Sequence, residues 1–187
     1  MLEFTFLRHS KAAPAANDRD RVLSEDGIQL ARERRLKMGN PTFDHVVHSD
    51  RIRTKQTACE IADISLSDST ITIVSLFGNE EDARIQAVMG AFGAIGNAPL
   101  SQFHLRCKDE LDSLARDAVV ELLNELPKTH GIGPQGKVLV VGHAVMQQAI
   151  CLELTQAQEH FLDLALGECQ GWRITYAGGP PTVEFIE

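Results

Sequence analysis

The chain opens on an apolar run, Leu2 to Leu7, that ends in Arg8-His9. This pattern predicts a short strand that delivers a cation and an imidazole at its C-terminal end. The polar stretch Lys11 to Arg21, with Pro14 and Asn17-Asp18-Arg19-Asp20, reads as a surface loop. Ser24 is placed to cap a helix carrying Ile28, Leu30, Ala31 and Met38, which stops near Gly39-Asn40-Pro41. Asp44 to His48 predicts a second strand, and Ser49 the cap of a helix carrying Arg53, Thr57, Ala58, Ile61 and Ala62.

Ile71 to Val74 is β-branched in the manner of a third strand. From Glu80 onward, Ile85, Val88, Met89 and Phe92 recur at helical spacing, with Met89 read as core filling. Leu111, Leu114, Ala115, Ala118, Val119, Leu122 and Leu126 repeat the pattern more strongly. Gly131 to Gly136 is a turn before Lys137 to Val141, a continuous apolar strand of the kind buried on both faces, with Gly142-His143 at its end. A helix from about Val145 to Leu154, a short one over Gln156 to Leu164, and a hairpin of Gly171 to Tyr176 with Thr182 to Ile186 complete the chain. The alternation predicts an α/β three-layer sandwich, a mainly parallel central sheet flanked by helices, in one domain over residues 1–187.

Composition narrows the function. With 43% hydrophobic and 24% charged residues the 187-residue chain can bury a core, and no apolar run approaches the roughly 18 residues that span a bilayer. The net charge of −8 opposes binding to nucleic acid or an anionic membrane. Phosphate therefore needs a local cationic cluster. Cys59, Cys107, Cys151 and Cys169 are too dispersed for a zinc or dithiol motif and read as reduced thiols. The N-terminus lacks the basic and long apolar regions of a secretory signal, so the expected location is cytoplasmic.

Three fragments put arginine or histidine just after a strand, where open α/β sheets bind ligands. They are Leu7-Arg8-His9-Ser10, Ser49-Asp50-Arg51-Ile52-Arg53-Thr54-Lys55-Gln56-Thr57-Ala58 and Val141-Gly142-His143. Two arginine forks and two imidazoles can enclose a tetrahedral dianion. In chain order, these fragments resemble the histidine phosphatase superfamily, also called the phosphoglycerate mutase-like family, over nearly the whole chain. Asp20 to Ala31 is similar to the Arg-x-Leu-(Ser/Thr)-x-x-Gly-x-x-x-Ala stretch of the small SixA-like phosphohistidine phosphatases.

The resemblance implies a phosphoglycerate mutase-like fold and a metal-free, cofactor-free reaction. His9 would be the nucleophile, with Arg8, Arg53 and His143 on the phosphoryl oxygens; Arg53, not Arg51, takes the matching slot. Ser10 stands where the family most often has Gly and could add a hydroxyl to the phosphate; Asp50 stands where it most often has Pro. A general acid would come from a Glu after the third strand. Here Glu80, Glu81 and Asp82 are the nearby substitutes, with a solvated helix start as their other reading.

An alkoxide leaving group, of parent pKa ~16, needs a proton in the transition state, whereas imidazole, of pKa about 6.5, can leave already protonated. The favoured substrate is therefore protein phosphohistidine. A small phosphorylated metabolite such as a sugar or nucleotide-related phosphate is the first alternative, a mutase the next, and a non-catalytic phosphate-binding module the reading from another class. Lys11 and His48 are secondary candidates at the pocket edge, while His45, His104, His130 and His160 read as structural or exposed.

Overall fold

A computed structural model describes residues 1–74, 81–157 and 160–187. Its strands are β1 (Leu2–Arg8), β2 (His45–His48), β3 (Ile71–Ile73), β4 (Lys137–Gly142), β5 (Gly171–Tyr176) and β6 (Thr182–Ile186). The helices are α1 (Glu25–Lys37), α2 (Ile52–Ala62), α3 (Ala83–Ile95), α4 (Leu100–Val120), α5 (Leu126–His130) and α6 (Ala144–Thr155). One sheet forms in the order β3-β2-β4-β1-β5-β6. The pairs β3–β2, β2–β4 and β4–β1 are parallel, and β1–β5 and β5–β6 are antiparallel.

The sheet is mixed and mostly parallel, and helices cover both of its faces. Alternation along the two central strands sorts the core. Phe4, Phe6, Val138 and Val140 face one side and pack under α3, α4 and α6, together with Trp172, Phe161 and Phe103. Leu7, Leu139 and Val141 face the other side against Ala31 of α1 and Ala58 and Ile61 of α2. Burial on both faces explains the unbroken apolar run of β4. It also makes β1 and β4 neighbours whose C-terminal ends, and so His9 and His143, emerge side by side.

Local signals place some boundaries and miss others. Ser24 caps α1, its Oγ accepting from the Gly27 N–H. Ser49 does not cap α2: the helix starts after Arg51, and the Ser49 hydroxyl lies 3.0 Å from Thr54 Oγ1 and 3.4 Å from His143 Nε2. Thr54 Oγ1 instead donates to the Arg51 carbonyl at 2.7 Å. The helix expected to end at Leu126 starts earlier, at Leu100, kinks at Cys107, and passes through a π-helical turn at Glu121–Glu125 before α5. Pro127, in the first turn of α5, has no N–H for the carbonyl four residues back, which interrupts the regular ladder.

Of the short helix expected over Gln156 to Leu164, the described residues show only a 3-10 turn at His160, whose N–H donates to the Ala157 carbonyl at 3.2 Å. Gln156 takes a left-handed conformation, φ 57°, which ends α6. Among the described residues no helix is long and apolar enough to cross a membrane.

Candidate active site

The site is assembled at the C-terminal ends of β1 and β4. The His9 N–H donates to the Gly142 carbonyl at 2.9 Å, and the Ser49 N–H to the Val141 carbonyl at 3.2 Å. The three fragments are thereby laced together by backbone. Arg8 is held by a loop before β5, its Nη1 donating to the Leu166 carbonyl at 2.6 Å. That loop is clamped to β1 in turn: the Cys169 N–H donates to the Arg8 carbonyl and the Arg8 N–H to the Gln170 carbonyl. These bonds hold Cys169 at φ 55°, a left-handed conformation uncommon for a residue with a side chain.

His9 Nδ1 lies 2.8 Å from the Ser10 carbonyl, which can only accept, so Nδ1 carries the proton. Arg53 Nε, which can only donate, lies 3.4 Å from His9 Nε2. Both neighbours therefore leave the lone pair on Nε2. The His143 ring stands edge-on to His9 with centroids 5.1 Å apart. His143 is also the N-terminal flanking residue of α6, and Arg51 holds the same place on α2, so two helix N-termini converge where an anion would sit.

A cavity of about 220 Å³ runs from this corner. Arg8, Arg21, Arg51 and Arg53 line it, with Asp18 and Glu168 as the described carboxylates. This is the local cationic cluster that an acidic chain needs in order to hold phosphate. Arg51 and Arg53 are both buried. Asp18 accepts from the Arg53 fork through its backbone carbonyl at 2.7 Å and its Oδ2 at 2.9 Å, and its Oδ1 lies 3.3 Å from Arg21 Nη1.

No protein-family profile and no curated protein matches the chain. Solved structures do. A phosphoserine phosphatase mutant from Entamoeba histolytica in complex with phosphoserine superposes with a TM-score of 0.61 at 19% identity, covering 100% of this chain and 97% of that one. The protein histidine phosphatase SixA with tungstate gives 0.57 at 18% identity, covering 97% and 94%. A phosphoglycerate mutase from Bacillus anthracis gives 0.62 at 17%, covering 99% and 92%. The chain has the histidine phosphatase fold.

On this histidine phosphatase fold, Arg8, His9, Arg53 and His143 come together, while other expected positions lie elsewhere. Ser10 is fully buried and its Oγ donates to the Gly27 carbonyl at 2.7 Å, so it presents no hydroxyl to the cavity. It fastens the loop after β1 to α1. Gly27 is required there: a Cβ would lie 2.0 Å from the Lys11 carbonyl oxygen. Asp82 caps α3 and pairs with Arg84 at 2.7 Å, and neither it nor exposed Glu81 lines the cavity. Glu80 lies outside the described residues. Lys11 pairs with Asp26 at 2.8 Å on the surface, and buried His48 is bonded to the Ser49 carbonyl; neither lines the cavity.

Sequence reasoning missed Asp18, Arg21, Arg51 and Glu168. Asp18 and Arg21 sit in a polar loop with no periodicity to aim them, and Glu168 lies in a turn 159 residues from His9 along the chain. Arg51 had a visible signal, a second arginine two positions before Arg53. Met89 is also a correction. Instead of filling the core it is 49% exposed and lines the cavity, with Phe92 beside it at 44%.

Burial, then the nearby Arg53, Arg8 and Arg21 charges, push the His9 imidazole down to about 4. Burial, then His9 and the same kind of cationic surroundings, hold His143 well below the usual range. Both rings are therefore neutral at pH 7. A base whose folded pKa is depressed contributes stability that is complete above its unfolded value of about 6.5 and is lost as pH falls toward the folded value. The ligand-free protein is expected to lose thermal stability as pH falls from 6.5 toward 4. Carbon NMR should place the His9 titration near 4; a midpoint near 6.5 would contradict the buried, cation-flanked ring.

Asp18 holds the Arg53 fork that a phosphoryl group would need. Partial burial works against its ionisation, but hydrogen bonds and charge from Arg53 and Arg21 keep its carboxyl below the usual range. A phosphoryl group entering the fork competes with that carboxylate. Asp18→Ala is accordingly expected to tighten inorganic phosphate binding roughly two- to fivefold, about 0.4–1 kcal/mol for so exposed a carboxylate. Calorimetric titration reads this directly, and weaker binding would make Asp18 a supporting residue of the fork.

Proposed function

We propose that this chain is a phosphohydrolase that passes a phosphoryl group through His9. The observation that carries the reading is the tautomer of His9, with Nδ1–H spent on Ser10 and Nε2 facing the cations. In the first step Nε2 bonds to phosphorus as the bond to the leaving group breaks, with Arg8, Arg53 and His143 on the phosphoryl oxygens. In the second, water attacks phosphorus, the P–Nε2 bond breaks, and orthophosphate departs with His9 restored as neutral imidazole.

A leaving alcohol needs a proton in the first step, and water must lose one in the second. Glu168 lines the cavity and can serve both transfers, whereas Asp18 is held ionised by its arginines. Glu168→Gln is expected to slow phosphorylation of His9 by an alkyl phosphate roughly 10²-fold while sparing that by an aryl phosphate with an acidic phenol, which leaves without help, and to slow hydrolysis of the phosphorylated enzyme equally from either substrate. Phosphorylation slowed equally by both substrates, with hydrolysis of the phosphorylated enzyme unchanged, would remove Glu168 from proton transfer.

Two substrate readings have support. Protein phosphohistidine is favoured by the position of Glu81 and Asp82 outside the cavity, because imidazole needs no acid from that segment. A small phosphomonoester is favoured by Glu168 in the cavity and by the apolar wall facing the cations. The deciding assay is phosphate release from a phosphohistidine protein and from small phosphomonoesters, with a chelator present throughout. Chelator-resistant release supports the hydrolase. Phosphate binding with no release from any substrate would instead support a phosphate-recognition module, with the ligand visible as a rise in Tm.

A further inference from the structure

The cavity has two chemically different ends. At one, four arginines, His9 and His143 surround the place of a phosphoryl group. At the other the lining comes from α3, α4 and α6: Ile85, Val88, Met89, Phe92, Phe103 and Met146. Ile85, Val88, Phe103 and Met146 are buried where α3 packs on α4 and α6 covers the sheet. Met89 and Phe92 are not. They remain about half exposed on the same α3 stripe, and the Phe92 ring is inclined 27° to that of Phe103 with centroids 6.5 Å apart.

The stripe is wider than its packing against α4 uses, and the surplus faces the cavity. Among the described residues, polar groups at this end are few. Asn97 lines it too, but its Nδ2 is given to the Leu166 carbonyl at 3.2 Å. The hydroxyls of a sugar or glycerol phosphate would lie mainly against methyl, thioether and ring carbons and lose water with the Asn97 amide as the one described side-chain partner on this wall. An apolar group there would cover Met89 and Phe92 and gain transfer free energy in proportion to the area buried.

We propose that the preferred substrate is a small phosphomonoester whose alcohol part is apolar, a short alkyl chain or a single aromatic ring, with Met89 and Phe92 as the residues that select it. This rests on the phosphohydrolase reading and adds the substrate class to it. The cavity volume, at about 220 Å³, is below the range of about 300–1,000 Å³ usual for drug-sized ligands, so the apolar part is compact.

The test compares kcat/KM for hexyl phosphate, phenyl phosphate, glycerol phosphate, phosphoserine and a phosphohistidine protein, with capture of the phosphorylated enzyme in parallel. The expected result is a preference of about tenfold or more for hexyl and phenyl phosphate over glycerol phosphate, as burial of a few methylene groups provides. In Phe92→Gln and in Met89→Gln the hexyl-to-glycerol ratio falls severalfold. Both positions are partly exposed, so the helix has room for the amides, and Tm of each variant checks that the fold is kept.

Equal or better turnover of glycerol phosphate or phosphoserine, or turnover of phosphohistidine protein alone, overturns the apolar-substrate inference while leaving a phosphorylated His9 intermediate in place. An unchanged ratio in both variants also overturns it. No turnover of any substrate and no phosphorylated enzyme overturns the inference and the phosphohydrolase reading together.

Discussion

Replacement of His9 by Ala is expected to reduce phosphate release by roughly 10⁴-fold or more, the scale seen when the attacking group of a covalent mechanism is removed. The geometry leaves little to take over. His143, the other imidazole lining the cavity, has its Nε2 turned toward Ser49 Oγ at 3.4 Å. Cys169 is buried and its thiol is pushed up to about 11, chiefly by burial, so it offers almost no thiolate at pH 7. The same substitution should abolish phosphorylated enzyme in rapid-quench mass spectrometry, since the adduct needs Nε2.

Phosphate binding gives the control. His9→Ala keeps Arg8, Arg53 and the two helix N-termini, so inorganic phosphate should still raise its Tm. Turnover within about tenfold of wild type would remove His9 from the chemistry.

Replacement of Arg53 by Ala is expected to lower kcat/KM by roughly 10²–10³-fold, the usual cost of losing one preorganised donor from a transition-state oxygen. Arg53 enters from the first turn of α2, 5% exposed, beside His9 Nε2, and its fork already grips a carboxylate. Arg53→Lys should recover little, because an ammonium on a flexible stem replaces a planar fork that can hold two oxygens at once. The ligand-free protein should lose little stability in either variant, since Arg53 stands among Arg8, Arg21 and Arg51 and its removal relieves like charge. Full activity in Arg53→Lys would reduce the role of Arg53 to net charge, and an Arg53→Ala protein that fails to fold would make it structural.

Much of the architecture is written in local patterns. The double-faced run of β4, the Phe4/Phe6 alternation of β1 and the capping Ser24 each specify an element, because burial and end-capping act within a few residues. Ser49 shows the limit. Its residue type predicts a cap, but its N–H is tied to β4 and its hydroxyl is drawn toward Thr54 and His143, which delays α2 to Ile52. Pro127 likewise follows a π-helical turn in a stretch whose apolar spacing runs smoothly from Leu111 to Leu126.

The candidate site divides in the same way. Arg8, His9 and His143 stand at strand ends that a sequence pattern locates, while the choice of Arg53 over Arg51 came from the resemblance to the histidine phosphatase superfamily. Ser10 looked like a phosphate donor but points into α1, since direction depends on what packs behind the residue. Asp18, Arg21, Arg51 and Glu168 become neighbours only when the loops close over the strand ends.

By itself, then, the amino-acid order determined the α/β class and most of the strands and helices, because each depends on hydrophobic period or position at an element's end, and its likeness to the histidine phosphatase superfamily supplied the four residues expected to handle phosphate. Tertiary structure alone decided that Asp18 contests the Arg53 fork, that Glu168 lines the cavity, and that half of the α3 stripe faces a substrate-sized space instead of the core. Those are contacts between residues far apart in the chain, and no local pattern encodes the distance between them.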